Sequence, residues 1–98
     1  QTVVIKDKMV MAVEAIEGTD RCIERGGKIA KKGAVVVKVA KPNQDTRFDV
    51  PAFGLATLKT MKKHKASVIA VEAGKTIIVD QQKTIEYANA NNIVVMAL

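Results

Sequence analysis

The stretch AVVVKV (residues 34–39) decides the fold class. It is a nearly unbroken run of β-branched side chains, without the strict alternation of polar and apolar residues that marks a half-exposed strand. Such runs are typical of strands that are covered on both faces, as in the middle of an α/β sheet. We therefore expect a central strand here, with helices packed on the sheet.

The neighbouring segments supply the other elements. Residues 2–6 and 9–14 are two apolar runs separated by Asp7-Lys8, which predicts a hairpin. Thr19 has the position of an N-cap for a helix that Gly26-Gly27 is expected to weaken or end. Further helices are predicted over residues 55–64 and 80–90, and further strands over residues 67–72, 76–79 and 93–97. The resulting order ββαβαββαβ predicts an α/β fold with a mixed sheet carrying helices.

Length and composition predict one domain over residues 1–98 with an almost wholly aliphatic core, since 48% of residues are hydrophobic and 3% aromatic. The single cysteine, Cys22, excludes an internal disulfide and is expected to be a small buried hydrophobe in a reducing, cytoplasmic compartment. No apolar run approaches the roughly 20 residues that span a bilayer. The chain starts at Gln1 inside a strand-like run, so we expect a fragment of a longer protein.

A net charge of +6 and a pI of about 9.6 indicate an anionic partner. The basic residues are dispersed along the sequence, and few aromatic side chains are present to stack on bases, so nucleic acid is not the expected partner. An anionic small substrate or an anionic membrane surface fits the charge equally well. The densest basic group, residues 59–65, is typical of a solvated helix face, with His64 expected to face solvent.

A loop rich in charges follows the central strand over residues 41–49, with Pro42 near its start and Pro51 just after it. Its cations suit phosphate oxygens, whereas its carboxylates suit a metal ion or an attacking water. Alternatively, the loop is solvated and its charges pair with each other at the surface. The polar residues at stake are Lys41, Gln44, Asp45, Arg47 and Asp49.

Two glutamates occupy comparable positions at predicted strand ends, because Glu14 follows the sequence MAV and Glu72 follows IAV. Ligands of α/β sheets bind at the carboxyl ends of strands. If these strands run in the same direction, one polar site collects both glutamates together with Asp20 and the charged loop. Clustered carboxylates suit Mg²⁺, and the segment Gly18-Thr19-Asp20 ahead of a helix suits a phosphate group.

Three ordered motifs carry a resemblance: AVEAIEGTD (residues 12–20), VAKPNQDTRFDVP (residues 39–51) and VEAG (residues 71–74). With these spacings the chain resembles the C-terminal hydrolase domain of the two-domain UDP-2,3-diacylglucosamine pyrophosphatases of lipid A biosynthesis. This family is unrelated to the calcineurin-like pyrophosphatases that catalyse the same reaction. The resemblance covers nearly all of the 98 residues.

The resemblance implies a function. Members of the family hydrolyse UDP-2,3-diacylglucosamine to UMP and 2,3-diacylglucosamine 1-phosphate with Mg²⁺, and water attacks the phosphorus next to the sugar. It implies a thioredoxin-like fold for this domain and an N-terminal Rossmann-like domain that completes the active site. It also implies peripheral contact with lipid of the inner membrane, and it leaves a homodimer open.

The resemblance further implies roles for individual residues. Asp49 is expected to be the catalytic carboxylate and a metal ligand, supported by Asp45. The remaining expected metal ligands are Glu14, Asp20 and Glu72, and the expected substrate-binding residues are Lys41, Gln44, Arg47, Thr19 and Gly18. Two other hypotheses stay open: a basic α/β module that binds RNA or another polyanion without catalysis, and a structural or dimerisation domain that tolerates substitutions throughout residues 41–49.

Overall fold

Three helices lie over one face of a mixed five-stranded sheet in the computed structural model, which describes residues 1–40 and 51–98. The helices are α1 (Thr19–Ala30), α2 (Leu55–Lys63) and α3 (Gln81–Ala90). The strands are β1 (Thr2–Lys6), β2 (Met9–Val13), β3 (Val35–Lys38), β4 (Ala52–Phe53), β5 (Val68–Val71), β6 (Ile77–Ile78) and β7 (Val94–Ala97). The predicted α/β fold with a mixed sheet is confirmed, and the thioredoxin-like topology stays a prediction.

The predicted element order is incomplete in one respect. The two-residue strand β4 was not predicted, and it pairs in parallel with β6 in a separate two-stranded sheet. The segments that contain β5 and β6 were predicted as two strands joined by a tight turn, yet these strands belong to different sheets. Strands of two residues are too short for a hydrophobic pattern to reveal.

Four strands of the large sheet end at the same edge. The order is β2-β1-β3-β5-β7, in which β1 is antiparallel to β2 and β3, whereas β5 and β7 are parallel to β3. Strands β2, β3, β5 and β7 therefore run the same way. We call the edge where these four strands end, and β1 begins, the carboxyl edge. The opposite edge, which holds the β1–β2 turn, is the amino edge.

The hairpin β1–β2 forms as predicted. Both turn residues have positive φ angles, 53° at Asp7 and 64° at Lys8, as a type I′ turn requires. Val4 pairs with Ala12 and Ile5 with Val10, so Met11 is the extra residue of a β-bulge.

Gly26-Gly27 do not end helix α1, which continues to Ala30; whether they weaken it stays a prediction. A Cβ atom at Gly26 would lie 2.5 Å from the Cβ atom of Val4, and one at Gly27 would lie 2.7 Å from that of His64. The two glycines thus allow close packing of α1 on β1 and on the end of α2. His64, expected to face solvent, is half-buried there.

The start of α1 also differs from the prediction. The N-cap residue is Gly18, with a φ angle of 90°, and no side chain caps the helix. Thr19 is therefore the first helical residue rather than the cap. Its hydroxyl is consequently not used for capping and takes part in other contacts, described below.

The core lies between the helices and one face of the sheet. Val4, Val36 and Ile69 are adjacent on β1, β3 and β5 and fully buried. Cys22 of α1 is also fully buried, as predicted. Burial raises the pKa of its thiol. The prediction that β3 is covered on both faces is wrong for the described residues, since no described helix covers the other face. The exposed aliphatic side chains of that uncovered face are Val10, Val13, Val94 and Met96.

Candidate active site at the carboxyl edge

The charged loop departs from the carboxyl edge, because β3 ends at Lys38. Residues 41–50 lie outside the described residues, so the predicted roles of Lys41, Gln44, Asp45, Arg47 and Asp49 stay predictions. The chain on either side of this segment is described. On the far side, Pro51 is buried and its carbonyl accepts a hydrogen bond from the Ile77 N–H at 2.9 Å.

Glu72 holds the backbone that leads into the loop. Its Oε1 accepts a hydrogen bond from the Ala40 N–H at 2.7 Å. Its Oε2 lies 3.7 Å from the Nζ atom of Lys75, in a partly exposed ion pair. Glu72, which was predicted to be a metal ligand, thus holds in place the backbone that follows β3.

A partly buried polar cluster lies at the same edge and consists of Thr2, Glu14, Thr19 and Lys38. Lys38 is only 4% exposed, and its Nζ donates a hydrogen bond to Thr19 Oγ1 at 2.8 Å. The Thr19 hydroxyl donates to Glu14 Oε1 at 3.0 Å, and Thr2 Oγ1 lies 3.2 Å from the same hydroxyl. One hydroxyl therefore links a buried ammonium group to a carboxylate.

The fold explains why these four residues meet. Thr2 and Lys38 are paired on β1 and β3, so both side chains point to the face that α1 covers. Glu14 follows the last residue of β2, and its N–H donates to the Thr2 carbonyl at 2.8 Å. An ammonium group removed from water requires hydrogen-bond partners; the Thr19 hydroxyl is one of them, and it connects Lys38 to the Glu14 carboxylate.

The N-termini of α1 and α2 lie side by side at this edge. The Thr57 hydroxyl of α2 donates to Asp20 Oδ1 of α1 at 3.0 Å. Helix N-termini carry partial positive charge and free N–H groups, which suit anionic groups. A cavity of about 450 Å³ opens here, and it is lined by Glu17, Gly18, Thr19, Asp20, Arg21 and Thr57.

An ion pair fixes the connection between β2 and α1 that contains Gly18. Arg25 donates from Nη2 to Glu17 Oε1 at 2.6 Å and to the Val13 carbonyl at 2.8 Å. The hydrogen bond from Arg25 lowers the pKa of Glu17, with a smaller contribution from the Ala15 N–H. The same bond raises the pKa of Arg25. Glu17 is thus a structural partner of Arg25.

The described carboxylates do not form a metal site by themselves. Glu14, Asp20 and Glu72 lie at the carboxyl edge as predicted, but each accepts a hydrogen bond from a different partner. Within residues 1–40 and 51–98, no three His, Cys, Asp or Glu side chains are grouped closely enough to hold an ion. The assignment of Mg²⁺ therefore stays a prediction.

Sequence reasoning missed three buried polar residues of this edge: Thr2, Lys38 and Thr57. A lysine next to a charged loop suggests a solvated strand end, so no functional role was predicted for Lys38. The signal that was present is its place within an otherwise aliphatic run, since a lysine inside a buried strand must have polar partners.

Two comparisons relate this chain to known proteins. The family model described as the LpxI C-terminal domain matches residues 1–96. A UDP-2,3-diacylglucosamine pyrophosphatase LpxI from Caulobacter vibrioides is 32% identical over 106 residues. That match includes all of this chain and 38% of the relative, so the chain spans well under half of the relative's length. Among the described helices, none is sufficiently long and apolar to span a bilayer.

Proposed function

The chain belongs to the LpxI C-terminal domain family, and on this premise we propose that it is the hydrolase domain of a UDP-2,3-diacylglucosamine pyrophosphatase. The reaction is hydrolysis of a phosphoanhydride. A water oxygen bonds to the phosphorus next to the sugar, the bond from that phosphorus to the bridging oxygen breaks, and UMP leaves with the bridging oxygen. The other product is 2,3-diacylglucosamine 1-phosphate, and the proton of the water passes to a base or to solvent.

One observation carries the proposal: the polar cluster lies at the same edge of the sheet from which the charged loop departs. The cluster holds a buried cation, Lys38, next to two helix N-termini. A pyrophosphate diester carries two negative charges, and a fixed cation in a site partly removed from water stabilises such charge far more than one in bulk water. Lys38 is thus proposed to act together with the loop cations.

The roles proposed for residues of the charged loop rest only on the resemblance to the pyrophosphatase family. Asp49 is proposed to orient the attacking water or hold the metal, with Asp45 and Gln44 in support. Lys41 and Arg47 are proposed to bind pyrophosphate oxygens, Arg47 through two parallel hydrogen bonds. Gly18 and Thr19 are proposed to bind substrate, in keeping with their place beside the cavity at the carboxyl edge.

Mg²⁺ is part of the proposal because the charged loop contains two carboxylates in its sequence, Asp45 and Asp49, which suit this ion. When bound, it would neutralise phosphate charge and polarise a phosphoryl oxygen. Glu14, Asp20 and Glu72 are hydrogen-bonded to separate partners.

The proposed partners follow from the size of the relative and from the uncovered face of the sheet. Most of the relative's length lies outside the match, which supports an N-terminal domain, of Rossmann type by the resemblance. The aliphatic face over Val37 and Met96 offers apolar area for that domain or for a second copy of the chain. A diacylated substrate supports a cytoplasmic protein in peripheral contact with the inner membrane.

The test is UMP release from UDP-2,3-diacylglucosamine by the full-length protein with Mg²⁺, comparing wild type with Asp49→Asn. We expect Mg²⁺-dependent release that the variant loses while its circular dichroism spectrum is unchanged. Release that survives in Asp49→Asn would move the catalytic carboxylate to Asp45, Glu14 or Glu72. Absence of release in the wild type would refute the proposed activity.

Polyanion binding is the second candidate function. The observation that favours it is the concentration of lysines at the amino edge, described in the next subsection. Such a module would bind RNA with an affinity that falls steeply as salt rises, and Asp49→Asn would leave this affinity unchanged.

A further inference from the structure

Eight lysines lie at or beside the amino edge, although they are dispersed in the sequence. They belong to three segments: the β1–β2 turn, the end of α1 with the loop after it, and the end of α2 with the loop after it. Lys6 Nζ donates to the Ala30 carbonyl at 2.9 Å, which joins the first two segments. The Gly33 N–H donates to the Lys65 carbonyl at 2.7 Å, which joins the last two. The eight residues, called the basic edge, are Lys6, Lys8, Lys28, Lys31, Lys32, Lys62, Lys63 and Lys65.

The basic edge accounts for the whole positive charge excess of the chain. The acidic residues in the same segments are Asp7 and, beside Lys28, Glu24. Eight lysines against two carboxylates leave six positive charges, which equals the net charge of the protein. The rest of the sequence contains eight basic and eight acidic residues and is balanced. Basic residues that are dispersed along the sequence are therefore brought together by the fold.

Helix dipoles do not explain a cluster of this size. Lys28, Lys62 and Lys63 lie in the last turns of α1 and α2, where cations interact favourably with the helix C-terminus. Each helix end carries roughly half a negative charge, so two helices balance about one of the six excess charges. The remaining excess is exposed to solvent, because seven of the eight lysines are exposed.

Exposed aliphatic side chains border these lysines. Met9 and Val10 follow Lys8 and are 61% and 60% exposed, and Ile29 follows Lys28 and is 57% exposed. Lysines interspersed with exposed aliphatic residues are typical of surfaces that contact anionic lipid headgroups and the adjacent acyl boundary. The three lysine-bearing segments contain no Phe, Tyr or Trp, which RNA-binding surfaces use to stack on bases.

We propose that the basic edge is the surface by which this protein binds an anionic lipid bilayer. The inference rests on the proposed function in one respect, namely that a diacylated substrate resides in a membrane. Lysine attraction acts within a Debye length, about 8 to 10 Å at physiological salt. Met9, Val10 and Ile29 add apolar contact at the headgroup boundary.

Binding through this edge sets the orientation of the domain. The candidate active site lies at the opposite ends of the same strands, and a strand of four residues rises roughly 13 Å. The site therefore faces away from the bilayer, and a lipid substrate has to leave the headgroup plane to reach it.

The experiment measures sedimentation of the full-length protein with vesicles of phosphatidylcholine containing 30% phosphatidylglycerol, and with phosphatidylcholine alone. The test variant carries Lys32→Gln and Lys63→Gln. The control carries Gln81→Glu and Lys83→Gln, which make the same change in net charge at exposed positions in the first turn of α3, away from the basic edge. Each lysine near an anionic surface contributes about fivefold to partitioning. We expect the test variant to lose about 25-fold in partitioning and the control less than threefold.

Three results would overturn the proposal: equal losses in the two variants, equal binding to vesicles with and without phosphatidylglycerol, or displacement of the protein from vesicles by single-stranded RNA at equal phosphate concentration. UMP release from detergent-dispersed substrate, measured in parallel, separates this proposal from the proposed function. Both variants keep that activity if the basic edge serves the membrane alone. Loss of activity only in the test variant would place the lysines in the reaction instead.

Discussion

Lys38 and Thr19 meet at 2.8 Å between the lysine ammonium and the threonine hydroxyl, although one ends the central strand and the other begins the first helix. The contact forms because Lys38 points under α1 and because Gly18, not Thr19, is the N-cap. The hydroxyl remains available to link Lys38 to Glu14. The positive charge of Lys38 is thereby held at the carboxyl edge, next to the start of α1.

Glu72 is expected to position the backbone before the loop rather than to bind the metal. Glutamine keeps a carbonyl oxygen that accepts the Ala40 N–H, so Glu72→Gln should retain stability and the Mg²⁺ dependence of UMP release. Glu72→Ala removes the acceptor and should destabilise the fold by about 1 kcal/mol, because the site is partly exposed. Chemical denaturation and a Mg²⁺ titration check both. A large loss of Mg²⁺ affinity in Glu72→Gln would instead identify Glu72 as a ligand.

Gly26→Ala is expected to destabilise the protein despite the higher helix propensity of alanine. Propensity alone would stabilise by about 1 kcal/mol. The new methyl group would lie 2.5 Å from the Cβ atom of Val4, within a fully buried contact between α1 and β1. Overpacking of this kind costs about 1–3 kcal/mol. Urea denaturation measures the change in the free energy of unfolding, which we expect to decrease. An increase would show that the α1–β1 contact has room for a methyl group.

The ion pair between Glu17 and Arg25 is expected to stabilise the protein only above acidic pH. The pKa of Glu17 is lowered from 4.5 by the Arg25 hydrogen bond. A carboxyl whose pKa is lower in the folded state contributes stability that is present above its unfolded pKa and is lost as pH falls through its folded pKa. The Tm of Glu17→Gln should therefore lie below that of the wild type at about pH 7, and the difference should shrink towards pH 3. A difference independent of pH would contradict the ionic origin.

The sheet was predictable where local pattern and tertiary structure agree. The hairpin followed from two apolar runs around Asp7-Lys8, and both residues adopt the positive φ angles of its turn. The central strand followed from the aliphatic run over β3. The bounds of α2 and α3 agree with the prediction to within a residue, since each has apolar residues at helical spacing.

Packing overrode local preference where the prediction was wrong. Gly26 and Gly27 lower helix propensity, yet α1 continues through them. Their lack of a side chain allows β1 and His64 to pack closely against the helix. No pattern within residues 19–30 reveals a neighbour that is 22 residues away in sequence.

The location of the candidate site could be predicted from the sequence, whereas most of its contacts could not. Glu14 and Glu72 were expected at comparable strand ends, and they follow β2 and β5 at the same edge. The contact partners of Lys38 and the clustering of the basic edge depend on which segments the topology brings together. Sequence spacing does not encode either one.

UMP release by full-length Lys38→Met, with Lys59→Met as the matched control, tests most directly whether the carboxyl edge is the active site. Methionine removes the ammonium group but keeps an unbranched side chain of similar length; because the partners of Lys38 stay behind, a loss of stability is expected, whereas Lys59 is exposed on α2. We expect kcat of Lys38→Met, measured at a temperature at which circular dichroism shows the variant folded, to fall at least about 100-fold, and the control to stay within twofold of wild-type activity. A folded Lys38→Met protein with undiminished UMP release would contradict the assignment of the polar cluster to the reaction.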